Sequence, residues 1–351
     1  MVPVETRIPV LDLARRWEGM QPEVDEAVAR VVRSGRLLLG DEVAAFEAEF
    51  AAFAGRLHAV AVASGTDALR LTLTALGIGR GDEVIVPALT AVPTIYAVCA
   101  TGATPVVVDV DPDTAAMDPA AATEAVTPLT KAVIPVHLYG RPAPLPHLGV
   151  PVIDDAAQAH GAVPSSPTAA TAYSFYPTKN LGGIGDGGAV VTDDADLAEH
   201  LRLVRNHGLE DGYLHRHVAG NSRVSEVEAA VLRIGLARLP FLNDRRRCIV
   251  ARYLSAAPGL RWHPNHARHI HHLCVLRVED RGGFRSRVPF QTGVHYPVAI
   301  SQQPAYRRFA RRPCPNAEAW AAECVTVPCF PEMTDEEIDT VCEGLRGEGF
   351  R

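Results

Sequence analysis

The chain has 351 residues, of which 47% are hydrophobic and 21% charged, enough for a large core shared by two domains and ordinary for a soluble globular protein. A formal charge of −7 excludes non-specific nucleic-acid binding, because no basic surplus exists to neutralise phosphates. No apolar run reaches the roughly 20 residues that span a bilayer. Met1 to Leu11 lacks the basic start and apolar core of a secretion signal, and the seven cysteines form no C-x-x-C pair. These features predict a cytoplasmic protein with reduced thiols, no membrane contact and no metal.

In chain order, the segments His58–Ala63, Glu83–Pro87, Pro105–Val110, Ala132–His137, Pro151–Asp155, Thr171–Phe175 and Gly188–Thr192 read as buried strands, being short, apolar and bounded by turn residues. Helical patterns at Asp67–Leu76, Ala91–Thr101 and Asp196–Asn206 lie between several of them. Such alternation predicts an α/β sandwich with a largely parallel sheet, in which ligands collect at the carboxyl ends of the strands. Ser225–Leu239 reads as an amphipathic helix with Val227, Ala230, Val231 and Ile234 on one side, and the periodicity resumes from Arg247 to Leu254. Pro240 is expected to kink or break the path between them. The domain boundary is therefore placed there, with a large domain over residues 1–240 and a small α+β domain over 241–351. The small domain is expected to hold strands His272–Val278 and Gly293–Tyr296 and a final helix Asp335–Arg346. The basic clusters Arg245–Arg247 and Arg311–Arg312 read as solvated faces.

Three motifs fall at or just after strand ends. Ser64-Gly65-Thr66 stands where a strand gives way to a helix, whose first N–H groups lack internal partners and lie at the positive end of its dipole. A phosphate fits there on those N–H groups and the Thr66 hydroxyl, with Gly65 permitting close approach; alone, the same residues are equally a helix N-cap. Asp155 closes the run Pro151-Val152-Ile153-Asp154. A carboxylate there can keep a pyridine nitrogen protonated, although strand alternation lets only one of Asp154 and Asp155 point at such a ring, and a cap or surface ion pair is the plain alternative. Gln158, three residues on, can donate to a phenolic oxygen. Lys179 lies in Ser174-Phe175-Tyr176-Pro177-Thr178-Lys179-Asn180-Leu181, before the glycine-rich run Gly182 to Gly188 that lets the backbone turn beside a ligand. It is one of only two lysines, with Lys131, among 34 basic residues. A lysine forms a Schiff base only as the free amine, which burial favours, and Ser174 at the preceding strand end can bind the same phosphate. An amine, a strand-end carboxylate and a phosphate turn are the parts that hold pyridoxal 5'-phosphate.

With these residues in order, the chain resembles the DegT/DnrJ/EryC1/StrS family of sugar aminotransferases, within the fold-type I pyridoxal phosphate enzymes. The likeness extends over Arg33-Ser34-Gly35-Arg36, Phe46-Glu47, Gly81–Pro87, Asp155–Gly161, Asn206-His207-Gly208, Gly220-Asn221-Ser222-Arg223, His295-Tyr296-Pro297 and Val327–Pro331. The resemblance implies an aspartate-aminotransferase-like three-layer sandwich. It implies Lys179 as the Schiff-base lysine, Asp155 on the ring nitrogen, Gln158 near the phenolic oxygen, and Gly65, Thr66 and Ser174 on the phosphate. Asn221 would reach the phosphate of the neighbouring subunit in a homodimer with shared sites. The implied activity moves an amino group from glutamate to a keto group of a nucleotide-linked, dTDP-type deoxy sugar; some members act on cyclitols or other carbocyclic precursors instead, and a few are dehydratases or were described as regulators. His295 and Tyr296 are implied as substrate contacts. Two departures stand out. Ala91 follows Thr90 where an aromatic often stacks on the cofactor, and Ser301 stands where a histidine often follows, in a loop that approaches the substrate.

Overall fold

The structure, a computed structural model, describes residues 7–145, 147–163 and 168–347. The first six residues, part of the segment read as lacking a secretion signal, lie outside the described residues. Helices α1 (Leu13–Glu18), α2 (Gln21–Ser34) and α3 (Asp41–Ala54) lead to strand β1 (His58–Val62). There follow α4 (Gly65–Ala75), β2 (Glu83–Pro87), α5 (Val92–Ala100), β3 (Thr104–Val108), α6 (Pro119–Glu124) and β4 (Thr130–Val133). Next come β5 (Ile153–Asp155), β6 (Ala170–Ser174), β7 (Gly188–Thr192) and α7 (Ala195–Val204). The long α8 (Glu226–Ala256) precedes β8 (Arg261–Trp262), β9 (Cys274–Arg277), α9 (Arg281–Arg287), α10 (Pro315–Glu323), β10 (Cys324–Val327) and α11 (Asp335–Leu345).

Strands pair as β1-β7-β6-β5 and as β3-β2-β4. Parallel bridges Val133–Val152 and Val136–Asp155 join the two groups, giving the order β1-β7-β6-β5-β4-β2-β3. Only β7 runs antiparallel to its neighbours, so the sheet is largely parallel as expected. Its strands read as unbroken apolar runs because both faces are covered. In β1, Val60 and Val62 pack with residues of α4, α5 and α7, while Ala59 and Ala61 pack with residues of α3 and α8. After Val133 the β4 ladder stops short of the expected His137. Pro135 has no N–H to donate, and the backbone turns at Tyr139, whose φ is 60°.

Pro240 does not end a helix. Helix α8 runs through it without interruption. Pro240 sits on the exposed side, while Leu239 and Asn243 beside it are buried; packing of the flanking turns overrides a proline penalty of about 3 kcal/mol. The first half of α8 buries Ala229, Leu232, Leu236 and Leu239 against α3 and the sheet. The second half buries Ile249, Val250 and Tyr253 in a separate core with β9, β10 and α11. Strands β8, β9 and β10 form a second, antiparallel sheet. Residues 293–296 are not a strand. Gly293 alone pairs, with Thr326, because the chain then turns inward: the Tyr139 hydroxyl donates to the His295 carbonyl at 2.5 Å. The basic run 245–247 is not wholly solvated either, since Arg246 is only 2% exposed.

Candidate active site

The turn after β1 is held before any ligand arrives. Ser64 caps α4, its hydroxyl accepting from the Asp67 amide at 3.1 Å. Ser222 ties the turn down, donating to Asp67 at 2.7 Å and accepting from the Ala63 amide at 3.2 Å. The cap reading is thus realised by Ser64. Gly65 and Thr66 become the first two helical residues, whose N–H groups have no partner within the helix. Glycine is required at 65, because a Cβ there would stand 2.6 Å from the Cβ of Ser174.

Strand alternation separates the two aspartates. Asp154 accepts from Thr168 at 2.8 Å and Thr171 at 3.2 Å and lies 3.2 Å from His137. Asp155 turns the other way and lines a cavity of about 330 Å³. Its Oδ2 accepts from the Thr94 hydroxyl at 2.8 Å, which is itself 2.8 Å from the Thr90 hydroxyl. Its Oδ1 accepts from the Ala157 amide at 3.1 Å. Burial raises the Asp155 carboxyl above its ordinary range, while the Thr94 and Ala157 bonds and the charges of Lys179 and His137 pull it back.

Lys179 sits on the excursion between β6 and β7, closed at its base where the Phe175 amide donates to the Gly187 carbonyl at 2.7 Å. From α1, the buried Arg16 reaches in and donates to the carbonyls of Pro177 at 2.7 Å and Lys179 at 3.1 Å. The glycines of this excursion serve close packing: among the described residues, none of those from Gly182 to Gly188 has a positive φ, and a Cβ on Gly183 would overlap the Glu228 carboxylate. Burial lowers the Lys179 ammonium to about 8, with Asp155 opposing the shift.

Gly65, Thr66, Asp155, Gln158, Ser174 and Lys179 all line the 330 Å³ cavity. Ala91 lines it too, and Tyr176 is the only aromatic residue on its wall among the described residues. A second chamber of about 420 Å³ shares Gln158, Tyr176 and Lys179 with the first and adds Arg246, His272, His295 and Tyr296. Lys179 therefore stands on the wall between two spaces. Gln158 is anchored there, accepting from the Tyr139 amide at 2.7 Å and donating to the Tyr296 hydroxyl at 3.0 Å.

Ser301, expected near the substrate, lies elsewhere, and Asn221, expected at a neighbouring subunit's phosphate, lies at the surface. Ser301 lines neither chamber and donates to Glu318 at 3.0 Å; the short helical turn Ile300–Gln302 points its hydroxyl at α10. Asn221 is exposed and accepts from Arg223 at 2.9 Å. Thr94 and Arg246 line these chambers and Arg16 bonds the Lys179 backbone; the sequence did not signal them, because each meets its partners across contacts remote in the chain and carries no local motif. Among the described residues no group of three His, Cys, Asp or Glu side chains could hold a metal.

Comparisons with known proteins identify the family. The profile of the DegT/DnrJ/EryC1/StrS aminotransferase family matches residues 19–346. The chain is 44% identical to the dTDP-3-amino-3,4,6-trideoxy-alpha-D-glucose transaminase of Streptomyces venezuelae, over 97% of this chain and 96% of that one. It superposes on the crystal structure of S. venezuelae DesV with a TM-score of 0.93 at 44% identity, covering 97% and 98% of the two chains. It also superposes on Bacillus subtilis NtdA, solved with bound cofactor PMP, with a TM-score of 0.91 at 29% identity, covering 97% and 84%. With that profile matched over nearly its whole length and a relative 44% identical, the chain belongs to the DegT/DnrJ/EryC1/StrS aminotransferase family.

Proposed function

We propose that this aminotransferase uses pyridoxal phosphate to move an amino group from glutamate to a keto group of a dTDP-linked deoxy sugar, in the making of an amino sugar. The observation that carries the reading is the convergence of Lys179, Asp155 and the N-terminus of α4 on one cavity that opens, at the lysine, onto a second. The residues present fit the cofactor. The Gly65 and Thr66 amides, the Thr66 hydroxyl and Ser174 form a cradle for its phosphate that a side chain at position 65 would fill. The names of the relatives support a dTDP-sugar acceptor.

When bound, pyridoxal phosphate supplies an aldehyde that carries the amino group and an electron-poor ring that spreads the charge left on a substrate carbon. Asp155, held by Thr94 and the Ala157 amide, would keep the ring nitrogen protonated, and Gln158 would stand by the phenolic oxygen. Lys179 would hold the cofactor covalently, and its amine, once free, would serve as the base and acid that moves the proton at the donor α-carbon. Burial lowers this ammonium to about 8, which favours the free amine that Schiff-base formation requires.

The architecture is read as an aspartate-aminotransferase-like three-layer sandwich with a small C-terminal α+β domain, divided near residue 240 where the two cores of α8 meet. Asn221 is taken to reach the phosphate in a second copy of the chain. It lies on the outward excursion that carries Tyr213, 91% exposed, and the fully exposed Val218, apolar surface suited to a subunit contact. The seven free cysteines suit a reducing cytoplasm, and no helix among the described residues is long and apolar enough to cross a membrane. The test is spectroscopic. Purified protein should be yellow and bleach with glutamate, and Lys179→Ala should lose turnover by at least about 10⁴-fold; a mutant that turns over at the wild-type rate removes the mechanism.

A further inference from the structure

Arg246 is buried in the larger chamber with no carboxylate in ion-pair contact among the described residues. It belongs to α8, is 2% exposed and lines the 420 Å³ space beside Lys179. One guanidinium nitrogen donates to the carbonyl of Cys329 and, at 3.4 Å, to that of His271. These are neutral dipoles, and among the described residues no carboxylate forms an ion pair with it. A buried cation left in this condition is costly, and breaking or omitting its partner is the expensive case. The surrounding groups do not resolve it. Arg16, also buried, repels it, and Glu332 attracts it without forming an ion pair among the described residues. His272 and His295, on the same wall, are held neutral by burial, with His295 lowered to about 4. The chamber therefore presents a fixed positive charge with which an anion small enough to enter can pair.

We propose that Arg246 anchors a carboxylate of the amino donor, holding the donor's amine toward Lys179 on the shared wall. The inference rests on the glutamate-donor reading and adds the residue that selects the donor. A guanidinium fork matches a carboxylate with two parallel hydrogen bonds, and its remaining N–H groups carry no hydrogen bond to the protein among the described residues. The chamber accommodates glutamate in volume. The other anion of the reaction, the diphosphate of the sugar nucleotide, is recognised by the same chemistry, so the test separates the two.

The probes are glutarate, a dicarboxylate with no amine to react, and dTDP, each titrated by calorimetry into holoenzyme of wild type, Arg246→Met and Arg246→Lys. Glutamate half-saturation is read from bleaching of the cofactor band. Met keeps the side-chain length and removes the charge; Lys keeps the charge and loses the fork. The expected result is a loss of about 100-fold in glutarate affinity and a matching rise in half-saturating glutamate for Arg246→Met. Arg246→Lys should recover part of both, and dTDP affinity should stay unchanged in all three. Equal glutarate affinity in wild type and a coloured Arg246→Met protein overturns the assignment. So does loss of dTDP binding with glutarate intact, which would give the cation to the diphosphate. Wild type that binds glutarate through Arg246 yet does not bleach with glutamate overturns the donor reading and leaves the carboxylate site standing. Should Arg246→Met fail to fold, Arg246→Lys decides alone, by whether glutarate weakens while dTDP does not.

Discussion

The protein should lose stability steeply on mild acidification, because its interior stores neutral imidazoles. Burial lowers His160 and His271 to about 3 and His263 and His295 to about 4; the His160 ring, for example, lies 2.9 Å from the Ser174 carbonyl. Each folded pKa lies below the unfolded value near 6.5. The unfolded chain therefore binds more protons than the fold, and the stabilisation, complete above pH 6.5, is lost as pH falls toward the folded values. Between pH 7.0 and 5.5 linkage gives a loss of about 1.2 kcal/mol for each histidine, or about 5 kcal/mol for four. His269 and His272 shift in the same direction. Glu228 opposes them. Burial raises its carboxyl to about 7, so in this window the fold holds a proton that the unfolded chain has released, a gain of about 1.6 kcal/mol. The net loss is about 3 kcal/mol, a large share of the stability of an ordinary domain. Urea midpoints at the two pH values measure it, and His263→Gln should make the loss smaller by about 1.2 kcal/mol. Unchanged or greater stability at pH 5.5 would refute the reasoning.

Other changes act at the site itself. Thr94→Val deletes the hydroxyl that holds Asp155; a hydrogen bond to a charged group contributes about 1.5–3 kcal/mol, so the single-turnover bleaching rate with glutamate should fall about 10- to 100-fold, and a rate within twofold of wild type counts against the role given to Thr94. Ser301→Ala should leave KM for the sugar within about twofold, since the hydroxyl faces Glu318; a tenfold rise would place Ser301 back among the substrate contacts.

The sheet was legible because strands buried on both faces are valine runs, and parallel order follows from their alternation with helices. The phosphate turn and the Lys179 segment were legible because their chemistry is written in adjacent residues. Which aspartate faces the cavity was not, since Asp154 and Asp155 differ only in the face that the pleat assigns them. Pro240 misled because local propensity is a weak prior against two cores that hold one helix from both ends. Gly293–Tyr296 misled because β-like composition does not reveal that the Tyr139 hydroxyl, 156 residues away, draws the backbone out of register. Arg246 sits between two other arginines, and nothing local distinguishes a solvated guanidinium from a buried one.

The antiparallel strand β7 has a consequence for how the amine is placed. Because β6 and β7 pair directly, with Ser174 opposite Gly188, the stretch bearing Lys179 is a hairpin knotted at its neck. Its ends cannot drift apart unless the sheet unzips. An extra residue between 176 and 187 has nowhere to relax except at the tip, so it would swing the nitrogen out of reach, whereas one added to the outlying stretch near Tyr213 would be absorbed by solvent. The reach of the reactive atom is thus gauged by strand register, and length variation should be forbidden on one side of β7 and tolerated on the other.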